Sequence, residues 1–144
     1  MGDSLSEGVG DPLAGWSGQL RGWVRHLGSA ERRLHLVGNL ARSGATVALL
    51  RRTQPPRVAE LRPDLVTCVI GVNDVLRPRF DPEGFERDYE HVIGQLRACA
   101  SRGVVTMNLH DVAEALPLPA RWREAIEANI QAANAVIERV SARH

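Results

Sequence analysis

The sequence predicts a three-layer α/β/α domain around a parallel sheet. Two observations carry this. Short apolar runs alternate with segments of helical periodicity, the pattern of βαβ units. The polar and glycine-rich stretches also fall directly after those runs, where open α/β sheets collect their chemistry. With 144 residues, 44% of them apolar, the chain is expected to form one domain over 1–144.

Trp16, Leu20, Trp23, Val24 and Leu27 recur at helical spacing, so a helix is expected over 13–27. Leu34–Val37, ending at Gly38-Asn39, reads as a short strand. Pro55-Pro56 opens a short helix that stops at Arg62-Pro63. Leu65 to Ile70 is continuous and β-branched, as expected of a strand buried on both faces. Phe85, Tyr89, Val92, Ile93 and Leu96 share one helical face. Val104–Leu109 reads as another strand. After Pro119, Trp122, Ile126, Ile130, Ala133, Ile137 and Val140 form the stripe of a long helix. All three tryptophans, Trp16, Trp23 and Trp122, are expected in the core.

Composition excludes several function classes. The formal net charge is +1, with the two signs interspersed, which argues against nucleic acid as the main partner. Its 18 basic residues are all arginine, a pattern read as coding bias. No run of about 18 apolar residues suggests a membrane span. Cys68 and Cys99 lack zinc-ligand spacing and read as free thiols. Met1 runs straight into Gly2-Asp3-Ser4 without a leader pattern, so a cytoplasmic location is expected, short of an upstream signal peptide.

Ser4 lies in Gly2-Asp3-Ser4-Leu5. A serine hydroxyl needs a base to become a nucleophile. Ester attack also needs hydrogen-bond donors aimed at the developing oxyanion. Gly44, in the segment after one apolar run, and Asn73, after the next, are suited to supply them. Here the chain resembles the GDSL, or SGNH, serine hydrolases. Gly2-Asp3-Ser4-Leu5 is similar to their first block, Asn39–Gly44 to the second, and Gly71-Val72-Asn73-Asp74 to the third, GxND. The blocks occur in family order and span residues 2–74.

The resemblance implies Ser4 as nucleophile, with oxyanion donors from its own N–H, the Gly44 N–H and the Asn73 side chain. Asp3 and Asp74 would brace the loops. It further implies a flavodoxin-like sheet of about five strands, a small acyl ester, thioester or acetylated sugar as substrate, and no metal or other cofactor. A helix cap at Asp3-Ser4 and a plain turn at Asn73-Asp74 are the structural alternatives. Gly8-Val9-Gly10 hints at a phosphate loop, but no GxGxxG completes it.

The family's base is a His three residues after an Asp, beyond the last strand. Asp88 and His91 have this spacing, but they fall within the helix over 85–96. There His91 points about 140° from the apolar face. His110-Asp111 follows the Val104–Leu109 strand with the wrong spacing, and is at most a cleft-lining candidate. His26 and His35 carry no catalytic argument, and His144 reads as a linker. The first and last strands and the Asp-x-x-His block are therefore expected to be largely missing from these residues, leaving a gap in mid-sheet. The expected function is a serine ester hydrolase, inactive in this form. The alternatives are a catalytically dead α/β fragment that binds a ligand or partner, and a nucleotide-binding domain. Acyl specificity and oligomeric state are not legible.

Overall fold

The computed structural model describes residues 1–12, 20–114 and 116–144. In chain order these form α1 (Ser4–Glu7), α2 (Gly22–Ala30), α3 (Val47–Thr53), α4 (Pro55–Leu61), β1 (Leu65–Cys68), α5 (Val72–Val75), α6 (Pro82–Cys99), β2 (Gly103–Thr106) and α7 (Ala120–Arg143). Strands β1 and β2 pair in parallel, Leu65 opposite Gly103 and Cys68 opposite Thr106. The 34 residues between the two ladders contain α6, so the connection is a βαβ crossover. The result is an open parallel α/β sheet of the predicted class.

Local chemistry explains the element ends. The Asp81 side chain accepts from Gly84 N–H at 3.1 Å and caps α6, with Pro82 at its first position. Arg62 ends α4 at φ 47°, ahead of Pro63. The α6 stripe is as the periodicity predicts: Phe85, Tyr89, Val92, Ile93 and Leu96 are all buried. They meet Ile126, Ile130, Ala133, Ile137 and Val140 of α7 in one core, together with Val47 and Leu50 of α3. Glu86 of α6 also holds Arg139 and Arg143 of α7, each at 2.7 Å. These exposed pairs add little to the apolar packing.

Several expectations change. Leu34–Val37 forms no strand; among the described residues it pairs with nothing, and Val37 is 50% exposed. An isolated extended segment has no ladder to stabilise it. Strand β1 is buried on one face only: Val66 and Cys68 are covered, whereas Leu65 is exposed and Thr67 half-buried. Trp122 is 45% exposed because it sits in the first turn of α7, ahead of Ile126, the first buried residue of that helix. Trp23 is half-buried rather than core, and Trp16 lies outside the described residues. Helix α2 begins at Gly22, after a bridge between Pro12 and Leu20, and residues 13–19 of the predicted helix are likewise outside. Among the described residues no helix is long and apolar enough to cross a membrane.

Helices α1 and α2 meet through glycine. A Cβ on Gly22 would lie 2.5 Å from Gly8 Cα, and one on Gly8 would lie 2.7 Å from Gly22 N. Both residues have positive φ, so backbone touches backbone here. This contact accounts for Gly8, and no phosphate loop is needed.

Candidate active site

Three loops meet at the carboxyl end of β1. The first carries Ser4. Gly2 bridges Val69 in parallel, continuing the β1 edge opposite β2. The Asp3 side chain then caps α1, its Oδ1 accepting from Leu5 N–H at 3.0 Å. Ser4 is therefore the first residue of a one-turn helix, half-buried, with its own N–H among the orphan donors of a helix start. The cap and the nucleophile are compatible readings of the same residues, because they use different atoms.

The second loop is tied to the first through Gly2, whose C=O accepts from Arg42 N–H at 3.1 Å. Asn39 Nδ2 donates to Ser6 C=O at 2.6 Å, and Ser43 N–H donates to Glu7 at 2.6 Å. Ala45 N–H closes a turn onto Arg42 C=O at 3.1 Å, with Gly44 as its third residue at φ 74°. That position favours glycine. Gly44 is exposed, a Cβ there would meet nothing within 4 Å, and its N–H has no acceptor among the described residues.

The third loop is tied to the second. Asn73 Nδ2 donates to Ala45 C=O at 2.9 Å, and Val47 N–H donates to both Asp74 carboxylate oxygens at 3.1 and 3.3 Å. A Cβ on Gly71 would press on Leu109 and Phe85 at 3.2 and 3.3 Å, so the bare backbone lets this loop sit tight on the core. Asn129 of α7 donates to Val75 C=O at 3.0 Å, fixing the end of α5. Ser4, Gly44 and Asn73 thus lie on loops joined pairwise by hydrogen bonds at one edge of the sheet. The Asn73 amide spends one donor on Ala45 and has a second.

Both acids beneath these loops are electrostatically unusual. Burial pushes the Asp74 carboxyl up to about 6, partly offset by the Val47 N–H bond and by Arg77, and reinforced by Asp3. Burial likewise raises Asp3, which is 1% exposed, against the Leu5 N–H bond. Asp3 Oδ2 and the Ser6 hydroxyl are buried without a partner.

Two contributors escaped sequence reasoning. Gln54, only 2% exposed, grips Gly2 at both ends: it accepts from Gly2 N–H at 3.2 Å and donates to Gly2 C=O at 3.0 Å. A glutamine before Pro55-Pro56 gives no sequence signal for this, since the contact spans 52 positions. Asn39 is the other; its place in the second block was legible, but its bond to Ser6 was not.

The histidines are distributed otherwise. His91 is exposed on α6, as its helical position predicts, and Asp88 pairs with Arg51 of α3 at 2.7 Å. His110 is exposed on the loop after β2, and Asp111 accepts from Ala113 N–H at 2.9 Å in a local turn. His144 contacts Glu90 at 2.5 Å on the α6–α7 face. The one Asp–His pair found among the described residues is Asp11–His26, at 3.0 Å, which the sequence did not suggest. It is exposed and lies past the C-terminal end of α1, whereas Ser4 opens that helix. No bond among the described residues joins any histidine to Ser4. Cys68 is fully buried in β1, and burial pushes its thiol up to about 11, as suits a packing residue.

Comparison with known proteins places this architecture. The chain resembles the crystal structure of LAE5, an alpha/beta hydrolase enzyme from the metagenome of Lake Arreo, Spain, with a TM-score of 0.76 and 24% identity over 99% of this chain and 71% of that one. It also resembles Axe2, an acetylxylan esterase from Geobacillus stearothermophilus, with a TM-score of 0.69 and 18% identity over 97% of this chain and 70% of that one. At these identities the likeness is one of fold. No curated protein matches the chain. The sequence pattern of the GDSL-like Lipase/Acylhydrolase family matches residues 1–144, and with the first, second and third blocks tied together at one sheet edge, this chain belongs to that family.

Proposed function

We propose that this chain carries the nucleophile and oxyanion-binding part of a serine ester hydrolase. Ser4 Oγ attacks the acyl carbonyl carbon, and the oxygen that becomes negative is received by the N–H groups of Ser4 and Gly44 and by the Asn73 amide. Asp3 and Asp74 hold these loops rather than react. The observation that supports the reading most is the chain of bonds from Gly2 through Arg42 and Ala45 to Asn73. The substrate is a small acyl ester, and an acetylated carbohydrate is the favoured class, the fold being shared with an acetylxylan esterase.

Attack requires a base to take the Ser4 proton. None of the five histidines is bonded to Ser4, so the hydroxyl stays neutral in this chain. Catalysis without a triad member generally falls to about 10³–10⁴-fold over water. The 144-residue chain is therefore expected to show neither p-nitrophenyl acetate turnover nor fluorophosphonate labelling above the level of Ser4→Ala. Robust Ser4-dependent turnover would reveal a base among these residues, and His26, His110 and His144 would be the first to replace. The missing contact also favours a second reading, an acyl-ester-binding module without turnover. Saturable, Asn73-dependent binding of an ester without hydrolysis would distinguish it.

A further inference from the structure

We infer that Glu7 is a positioning residue of the oxyanion site: its carboxylate holds the Ser43 N–H and thereby fixes the neighbouring Gly44 N–H relative to Ser4. The inference deepens the esterase reading and rests on it. Gly44 has no packing of its own to hold it. It is exposed, its N–H has no acceptor among the described residues, and a Cβ there would meet nothing within 4 Å. Its φ of 74° is that of the third residue of a type II turn. In that turn the peptide joining the second and third residues is reversed relative to a type I turn. The direction of the Gly44 donor is therefore a local choice that the core does not make.

The ends of the turn are anchored separately. Arg42 N–H donates to Gly2 C=O at 3.1 Å, and Asn73 Nδ2 donates to Ala45 C=O at 2.9 Å. Ser43 and Gly44 stand between these anchors. Among the described residues one hydrogen bond reaches them, from Ser43 N–H to Glu7 Oε2 at 2.6 Å. That length is short even for a charge-assisted bond. Glu7 forms no ion pair among the described residues, so its carboxylate is not committed to an arginine. Ser4 is the first residue of α1 and Glu7 the last, so a single helical turn carries both. Residues three apart are neighbours on a helix surface. The grip on Ser43 thus ties the turn that displays Gly44 to the same helical turn that displays the nucleophile. Glu7 acts here as an acceptor. Its negative charge by itself disfavours a second negative charge nearby, so an amide at position 7 would serve the same purpose.

The test compares the isotope-labelled chain with Glu7→Ala and Glu7→Gln by amide NMR. In Glu7→Ala the Ser43 proton resonance is expected to move upfield, and its exchange with solvent to quicken roughly tenfold or more. The Gly44 resonance should broaden or split as its peptide samples both directions, while α6 and α7 resonances stay in place. Glu7→Gln should restore both signals. An unchanged Gly44 resonance in Glu7→Ala overturns the inference, as does a Gln variant that behaves like the Ala variant. In a form of the chain with turnover, Glu7→Ala should lower kcat roughly 10- to 100-fold with KM little changed, and Glu7→Gln should recover it. A fall in kcat for Asn73→Ala with none for Glu7→Ala removes Glu7 and leaves the esterase reading standing. No fall for either variant overturns both.

Discussion

The side-chain amide of Asn73 reaches the carbonyl oxygen of Ala45 at 2.9 Å, which ties the loop after β1 to the turn that displays Gly44. Asn73→Ala removes this tie and leaves Ala45 C=O without its partner, at a cost of about 1–2 kcal/mol in urea unfolding. In any form of the chain with turnover, kcat is expected to fall on the order of 10²–10³-fold, with KM little changed. An unchanged kcat removes Asn73 from the oxyanion site.

Gln54 performs a related task for the segment ahead of Ser4. Gln54→Ala strips two buried bonds from Gly2 and should destabilise the chain by about 1–3 kcal/mol. Because Gly2 precedes Asp3 and Ser4, amide exchange at residues 2–7 should accelerate more than exchange in α6. A uniform loss of protection would mean that Gln54 supports the whole fold and not this segment.

The buried carboxyls make stability depend on pH. Asp74 titrates near 6 in the folded chain against an ordinary value of 3.8, and Asp3 is shifted in the same direction. The folded state therefore binds more protons than the unfolded state between about pH 4 and pH 6, and stability declines as pH rises through that window. The Asp74 share is on the order of 2 kcal/mol. Asp74→Asn keeps an acceptor for Val47 N–H and should flatten the decline. Denaturant midpoints at pH 4, 5, 6 and 7 check this, and an identical slope in the variant would assign the effect elsewhere.

His91 has the spacing of a catalytic base relative to Asp88 and none of its surroundings. His91→Ala should change stability by less than about 0.5 kcal/mol and leave any Ser4-dependent activity intact. Loss of hydrolysis in the variant of an active form would reinstate the pair.

What the sequence determined by itself was whatever is local or periodic. The α6 and α7 stripes follow from 3.6-residue spacing, and the short α4 helix from its proline and Arg62-Pro63 boundaries. Strands β1 and β2 follow from continuous apolar runs, and the family from three short blocks in order. Helix α3 was missed because Val47-Ala48-Leu49-Leu50 is too short for periodicity to register, although Thr46 caps it by accepting from Leu49 N–H. Tertiary structure decided everything that depends on a distant partner. Leu34–Val37 has the composition of a strand, but a strand exists only where another pairs with it, and here the neighbouring space is a groove. Leu65 and Trp122 look like core residues in sequence and are exposed because no layer covers them. Gln54 holds Gly2, and Asp11 meets His26, through contacts that no local pattern encodes, since the two members of each pair come together only once the chain between them has folded.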